Sequence, residues 1–301
     1  MTFQFGRAVV AEFADVKIVG TEGLRVTFSV ERDKLPWPNT AELAVYNLNA
    51  ATRAKLTSQG KVSARLQAGY KDQLDQIFFG VLDIVEHVKD GPLWVTRMSV
   101  SDAGEKCKQA RCSTTFKKGT THREIVAALL KALGLGEGNL SSFASKSALM
   151  RQIAFASSFH GNAVEELAYF LRANGLEFSV QDQKIQLLEI GKGAPNATAP
   201  KISPTSGLVG SPRLVKEKAT DLTRKAKKPV NPVFLTGEED VDMITTVEGE
   251  CLLNGKLVPG VPFRLESESV NGDFLTCATR TTGDTHGPDW ATQFKGMPLA
   301  S

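Results

Sequence analysis

Apolar and polar positions alternate along the first third of the chain in short runs separated by turn residues. Ala8–Val10 and Val16–Val19 are strand-like. Leu24-Arg25-Val26-Thr27-Phe28-Ser29-Val30 alternates strictly, which puts Leu24, Val26, Phe28 and Val30 on one face, as in a half-buried strand. Leu35-Pro36-Trp37-Pro38-Asn39 reads as a connection, because its two prolines lack the ladder donor. Ala41–Leu48, Val62–Ala68, Gln76–Val85 and Leu93–Asp102 continue the series. A short helix interrupts it at Asn49–Leu56, with Asn49 as its N-cap. About six strands at regular spacing predict a small barrel or sandwich.

The period changes over residues 116–190. Thr121-x-x-Glu124 is a capping box, followed by Ile125, Ala128, Leu129 and Leu133 at helical spacing and by Gly134 as the stop. Asn162-x-x-Glu165 repeats the device, with Val164, Leu167, Ala168 and Leu171 as the buried stripe and Gly175 at its end. Between these helices Gln152–Ala156 predicts a strand. Leu176–Val180 and Lys184–Ile190 flank Gln181-Asp182-Gln183 and predict a hairpin. Residues 191–207 hold three prolines among glycine, serine, threonine and alanine, and read as a linker or extended connection.

Strand patterning returns toward the end. Phe263–Glu266 alternates, and Asn271-Gly272 predicts a type I′ hairpin turn, since both central residues of that turn need a positive φ. Phe274–Ala278 is the return strand. A polar turn over 283–289 leads to a last strand through Trp290 and Phe294. The fold class expected is therefore α+β, mostly β. Two small antiparallel β domains, at 1–115 and 196–301, flank an inserted α+β domain at 116–195. The two β portions share no visible sequence repeat.

Composition narrows the function. The chain has 301 residues, 42% hydrophobic and 23% charged, with a net charge of +3. This excludes wholesale disorder and lacks the concentrated basicity of a protein that grips nucleic acid through its phosphates. No apolar run approaches the roughly 18 residues that span a bilayer. The start, MTFQFGRAVVAEF, has no signal-peptide pattern, so a cytosolic site of synthesis is expected. In that setting Cys107, Cys112, Cys251 and Cys277 are expected to be reduced and structural.

The catalogue of catalytic signatures comes up short: there is no Walker loop, GxGxxG, HExxH or GxSxG. His87, His122, His160 and His286 are far apart in sequence and read as surface or turn residues. Asp284, His286 and Asp289 fall within six residues, a grouping that suits a divalent ion; the plainer reading is a glycine-bounded turn whose carboxylates accept from backbone N–H groups. Glu165 and Glu166 diverge on a helix and cannot flank one bond. Residues 213–228 carry seven Lys or Arg against Glu217 and Asp221, with Glu238-Glu239-Asp240 close behind. They read as a solvated loop or a protein contact, with no interleaved aromatics for base stacking. No cofactor and no metal are expected.

Three stretches together resemble the baseplate hub family of contractile-tailed phages, the late control protein D type. The first is Ala41–Leu48 with Val62–Tyr70 and Ile77-Phe78-Phe79-Gly80-Val81. The second is Ser158-Phe159-His160-Gly161-Asn162 before the middle helix. The third is the closing run from Leu252-Leu253-Asn254 through Pro259-Gly260, Leu265-Glu266-Ser267 and Asn271-Gly272 to Gly283–Trp290. The resemblance covers most of the chain and departs between Lys216 and Asp240, which is longer and more charged here. It implies a structural virion protein and not an enzyme: a homotrimer in which each subunit gives two tube-like β domains. Three copies would form a pseudo-sixfold ring that joins a hexameric tail tube to a trimeric central spike and lets DNA pass without specific binding. The inserted domain would face baseplate wedge or sheath proteins, and assembly would take place in the host cytoplasm. Such a ring would close β edges of 1–112 and 241–301 against neighbouring subunits. The rival expectations are a tail-associated peptidoglycan hydrolase using Glu124, Glu165 or Glu166, a nucleic-acid module built on Arg213–Lys228, and a tail tube or tape-measure-capping protein.

Overall fold

A computed structural model describes residues 6–20, 23–71, 73–143, 147–195, 197–218 and 243–299. Its first part holds β1 (Arg7–Phe13), β2 (Val16–Val19), β3 (Val26–Asp33), β4 (Thr40–Tyr46), α1 (Ala50–Ser58), β5 (Ser63–Tyr70), β6 (Gln73–Asp90) and β7 (Leu93–Ser101). The middle part holds α2 (Gly104–Gln109), β8 (Arg111–Phe116), α3 (His122–Leu133), α4 (Ser147–Met150), β9 (Ser157–Asn162), α5 (Ala163–Ala173), β10 (Leu176–Gln181) and β11 (Lys184–Glu189). The last part holds β12 (Lys201–Ile202), β13 (Leu208–Lys218), β14 (Met243–Leu252), β15 (Pro262–Glu266), β16 (Asn271–Asp284) and β17 (Trp290–Pro298). The chain is α+β and mostly β, as its patterning predicts.

The main sheet runs β13-β14-β17-β16-β3-β4-β7-β6-β5-β1-β2, with β15 on β16 and β12 on β15. The two predicted β portions are thus one continuous sheet, joined where β16 pairs antiparallel with β3 from Ala278↔Asp33 to Asp284↔Thr27. Its order contains a repeat that the sequence hides. In β3–β7, the first strand pairs with the second, the second with the fifth and the fifth with the fourth, whose leading half also pairs with the third. In β13–β17 every one of those antiparallel pairings recurs in the same order. A β-bulge falls at the same point of each fourth strand, Asp83 in β6 and Cys277 in β16. Bulges re-aim a strand and raise its twist, so this shared irregularity marks a shared geometry.

Alternation explains which face of the sheet is covered. Val26, Phe28 and Val30 of β3, Ala41, Leu43 and Val45 of β4, and Met98 and Val100 of β7 are buried in one cluster, which also takes in Leu253 and Trp290 from the last part of the chain. A second cluster, from Ala103 to Leu187, unites α3, α5 and the β10–β11 hairpin. A third gathers Val247, Phe263, Leu265, Phe274 and Phe294.

Helix ends follow local chemistry. Asn49 caps α1 by accepting from Thr52 N–H, and Thr121 and Glu124 form the predicted capping box of α3, which stops at left-handed Gly134 (φ 63°). Asn162 caps α5 through Val164 N–H, but the reciprocal Glu165 bond is absent among the described hydrogen bonds, so only half of the second box forms. The β10–β11 hairpin turns at Asp182 and Gln183, both at positive φ.

Four local expectations are corrected. The strand expected over Gln152–Ala156 lies one step later, as β9; Gln152 itself makes only an isolated bridge to Thr121. The type I′ turn expected at Asn271-Gly272 does not form; a four-residue loop at 267–270 closes the hairpin instead, because β15 and β16 pair as far as Glu266↔Asn271. Asn271 instead ties that loop, donating to Ser267 O and accepting from Ser267 N–H. The basic run from Arg213 is β-strand as far as Lys218, since Leu214 and its neighbours alternate opposite β14; residues 219–242 lie outside the described residues. α2 and β8, within and beyond a stretch read as all strand, were not expected at all.

The middle part is fastened to the sheet by charge. Lys34, fully buried, holds Glu177 at 2.7 Å, and Arg32, 4% exposed, holds Asp182 at 2.5 Å. Asn39 donates to Val180 O and to both carboxylate oxygens of Asp102, at 2.7–2.8 Å. Gln181 donates to Asp33 O at 2.7 Å. Burial pushes the Asp102 carboxyl up to about 7 against the lowering pull of Asn39 and Arg32.

Candidate functional site

Asp284, Glu124 and the four histidines each have a hydrogen-bond partner in the fold. Asp284 ends β16 with its side chain 8% exposed and receives both ends of the Arg25 guanidinium, Nε at 3.2 Å and Nη2 at 2.7 Å. It also accepts from His286 N–H at 2.9 Å. Burial works to raise its pKa, but the Arg25 contact and the His286 and Gly287 N–H groups outweigh it and hold it low. Arg7 donates to the carbonyls of Asp284, Gly287 and Pro288, and Val26 and Thr285 exchange bonds between β3 and the turn. This segment is therefore a knot across the β3–β16 join. Gly283 belongs to it for packing reasons: a Cβ there would stand 2.3 Å from a ring carbon of Phe28. Among the described residues the His286 ring bonds Thr285, and Asp289 is exposed.

The other candidates are spread over the molecule. His122, expected at the surface, is buried at the start of α3, because its ring packs edge-on against Phe170 and bonds Ala148 O; burial lowers its pKa. His87 bonds Thr96 and Thr57, and His160 bonds Ser113. Glu124 is committed to Thr121, whose N–H and hydroxyl it accepts at 2.8 Å, and these bonds lower its pKa. Glu165 and Glu166 lie in the first turn of α5, where the helix dipole favours carboxylates. Arg213 pairs with Glu248 at 2.8 Å, and Lys295 sits between Glu217 and Glu248. The four cysteines are buried; burial takes Cys251 up to about 12 and Cys277 up to about 11. Among the described residues no group of three His, Cys, Asp or Glu is placed to hold a metal.

The feature with an unmet need is the sheet itself. Its uncovered face carries both signs of charge: Glu31, Glu42, Arg97, Glu248, Arg280 and Lys295. Part of it forms an open groove of about 790 Å³ between β3, β14, β16 and β17. Arg280 and Glu31 lie opposite each other across the join, 3.5 Å apart. Among the strand edges without a ladder partner in the described residues are the two at the ends of the repeat array: β13 on its outer side, and β6 from Asp83 to Asp90, beyond the reach of β5. They display large apolar side chains, Ile84 at 63% and Leu214 at 55% exposure. The sequence shows the strands but not these edges, because an edge is a property of sheet order. The only signal was length: β6 runs well past the predicted Val85 to Asp90.

Solved structures share this fold. A tail protein from Neisseria meningitidis superposes with a TM-score of 0.62 at 11% identity, covering 97% of each chain. The 43 kDa tail protein of prophage MuSo2 from Shewanella oneidensis gives 0.64 at 9% identity, covering 97% of this chain and 98% of that one. An Escherichia coli component of the type VI secretion system, described as structurally similar to T4 bacteriophage tail proteins gp27 and gp5, gives 0.57 at 9% identity over 97% of this chain and 77% of that one. At such identities the likeness is one of fold. No family model matches the chain, and no curated protein matches it.

Proposed function

We propose that this chain is a structural protein of a phage-type tail: a baseplate hub whose three copies close into a ring with a pseudo-sixfold wall. The observation that carries this reading is the repeated strand order, β3–β7 and β13–β17 in one continuous sheet. Two near-equivalent walls per subunit let three subunits present six. Such a ring would match a hexameric tail tube on one side and a trimeric spike on the other. The chain divides on this account into wall domains at 1–115 and 196–301 and an inserted domain at 116–195 that faces outward, toward wedge or sheath proteins. The uncovered sheet face supplies the bore. Its alternating Glu and Arg or Lys suit a wall along which DNA slides without being held, since no concentrated basic stripe is there to exchange for counterions.

Fold likeness to tail proteins and to a type VI secretion component supports the setting. The roles found for Glu124, Asp284 and the histidines in capping and packing support a structural task over a catalytic one. The reading is tested by electron microscopy of the purified protein. Hollow particles with threefold symmetry and a rim close to sixfold are expected; solid particles without a bore would contradict it.

A further inference from the structure

We infer that the free part of β6 in one copy pairs antiparallel with β13 of a second copy, in a register with Glu86 opposite Val215 and Val88 opposite Arg213. This rests on the ring reading above and adds to it the strands, the direction and the residue pairs.

The register comes from the repeat. Counting from the shared bulges, Ile84 of β6 corresponds to Ala278 of β16, Glu86 to Arg280 and Val88 to Thr282. The fifth strands then align Trp94 with Trp290, Thr96 with Thr292 and Met98 with Phe294. The second strands align Glu42 with Glu248, and the first strands Ser29 with Arg213 and Glu31 with Val215. Within one chain the fourth strand of the second repeat already pairs with the first strand of the first, Arg280 opposite Glu31 and Thr282 opposite Ser29. Applying the same junction to the two remaining ends puts Glu86 opposite Val215 and Val88 opposite Arg213. Both edges are unpaired among the described residues, and unpaired ladder groups beside exposed Ile84 and Leu214 are the kind of surface a sheet buries by pairing. The junction also brings Glu42 and Glu248 to equivalent heights on the uncovered face.

Cysteine pairs read the register directly. Directly opposed residues sit within disulfide reach, while a partner two residues away is about 7–8 Å off, beyond it. The four native thiols are buried and do not compete. Glu86→Cys with Val215→Cys in one chain is expected to give covalently linked trimers on mild oxidation, as is Val88→Cys with Arg213→Cys. The slipped pairs, Glu86→Cys with Arg213→Cys and Glu86→Cys with Glu217→Cys, are expected to give at least about tenfold less. The native mass of each unoxidised variant is measured alongside. A trimeric mass with no linkage at the opposed pairs, or with stronger linkage at a slipped pair, overturns the register and leaves the ring standing. A monomeric mass for the unmodified protein overturns both.

Discussion

At the scale of single residues the chain spends its charged groups on joints. Asp102 is the clearest case with a measurable consequence. Its carboxyl is held near pKa 7 by burial, well above the ordinary value of about 4 expected in the unfolded chain. Below about pH 4 both states carry the proton and the group contributes nothing. Between there and about pH 7 the folded state keeps a proton that the unfolded state has released, so stability falls as pH rises through this window and levels off above it. Urea unfolding is therefore expected to show a midpoint lower at about pH 8 than at about pH 5, by the equivalent of roughly 2–4 kcal/mol from this group. Asp102→Asn should flatten that slope. An unchanged slope in the variant would assign the effect elsewhere. Asp284 gives a second test: Asp284→Ala removes the Arg25 contact and the His286 N–H bond together and is expected to cost about 1–2 kcal/mol, the Arg25 end being half exposed. Asp284→Asn, which retains an acceptor for that N–H, should cost less in the same thermal scan.

At the scale of elements, what the sequence made legible was whatever depends on neighbours along the chain. The alternation from Val26 to Val30, the Asn49 cap, the Thr121–Glu124 box and the Asp182-Gln183 turn all form as read, because each is decided by residues within a turn or two. Asn271-Gly272 misled because its side chain serves a longer loop, and only the pairing with β15 decides where that loop ends. His122 misled because Phe170, distant in sequence, covers it. At Asp284 the plainer reading, a turn whose carboxylate accepts from backbone N–H, forms through His286; its bond to Arg25 was not legible, since Arg25 lies far back in the chain. The insert's attachment is likewise non-local: Lys34 is buried only because Glu177 meets it. Lys34→Met, which removes the cation that meets Glu177 at 2.7 Å, is expected to destabilise by about 3–5 kcal/mol, read as a lower urea midpoint. A midpoint within error of the parent would show that this pair does not fasten the two parts.

At the scale of the whole molecule, the repeat of β3–β7 in β13–β17 organises everything else. Sequence comparison of the two halves cannot see it, because what the repeats share is the order of pairing and the position of a bulge, with few identities such as Trp94 with Trp290 and Glu42 with Glu248. One junction between repeats is made inside the chain, tied by Arg25, Asp284 and Arg7. Among the described residues the other is left open, at the two ends of the main sheet's repeat array. A chain with one closed and one open copy of the same joint is suited to assembly with itself, and a closed ring leaves neither edge exposed. The measurement that tests this most directly is the absolute mass of the purified protein by light scattering across a range of concentrations. Three times the mass of one chain, held on dilution, is expected. A mass of one chain at every concentration would contradict it.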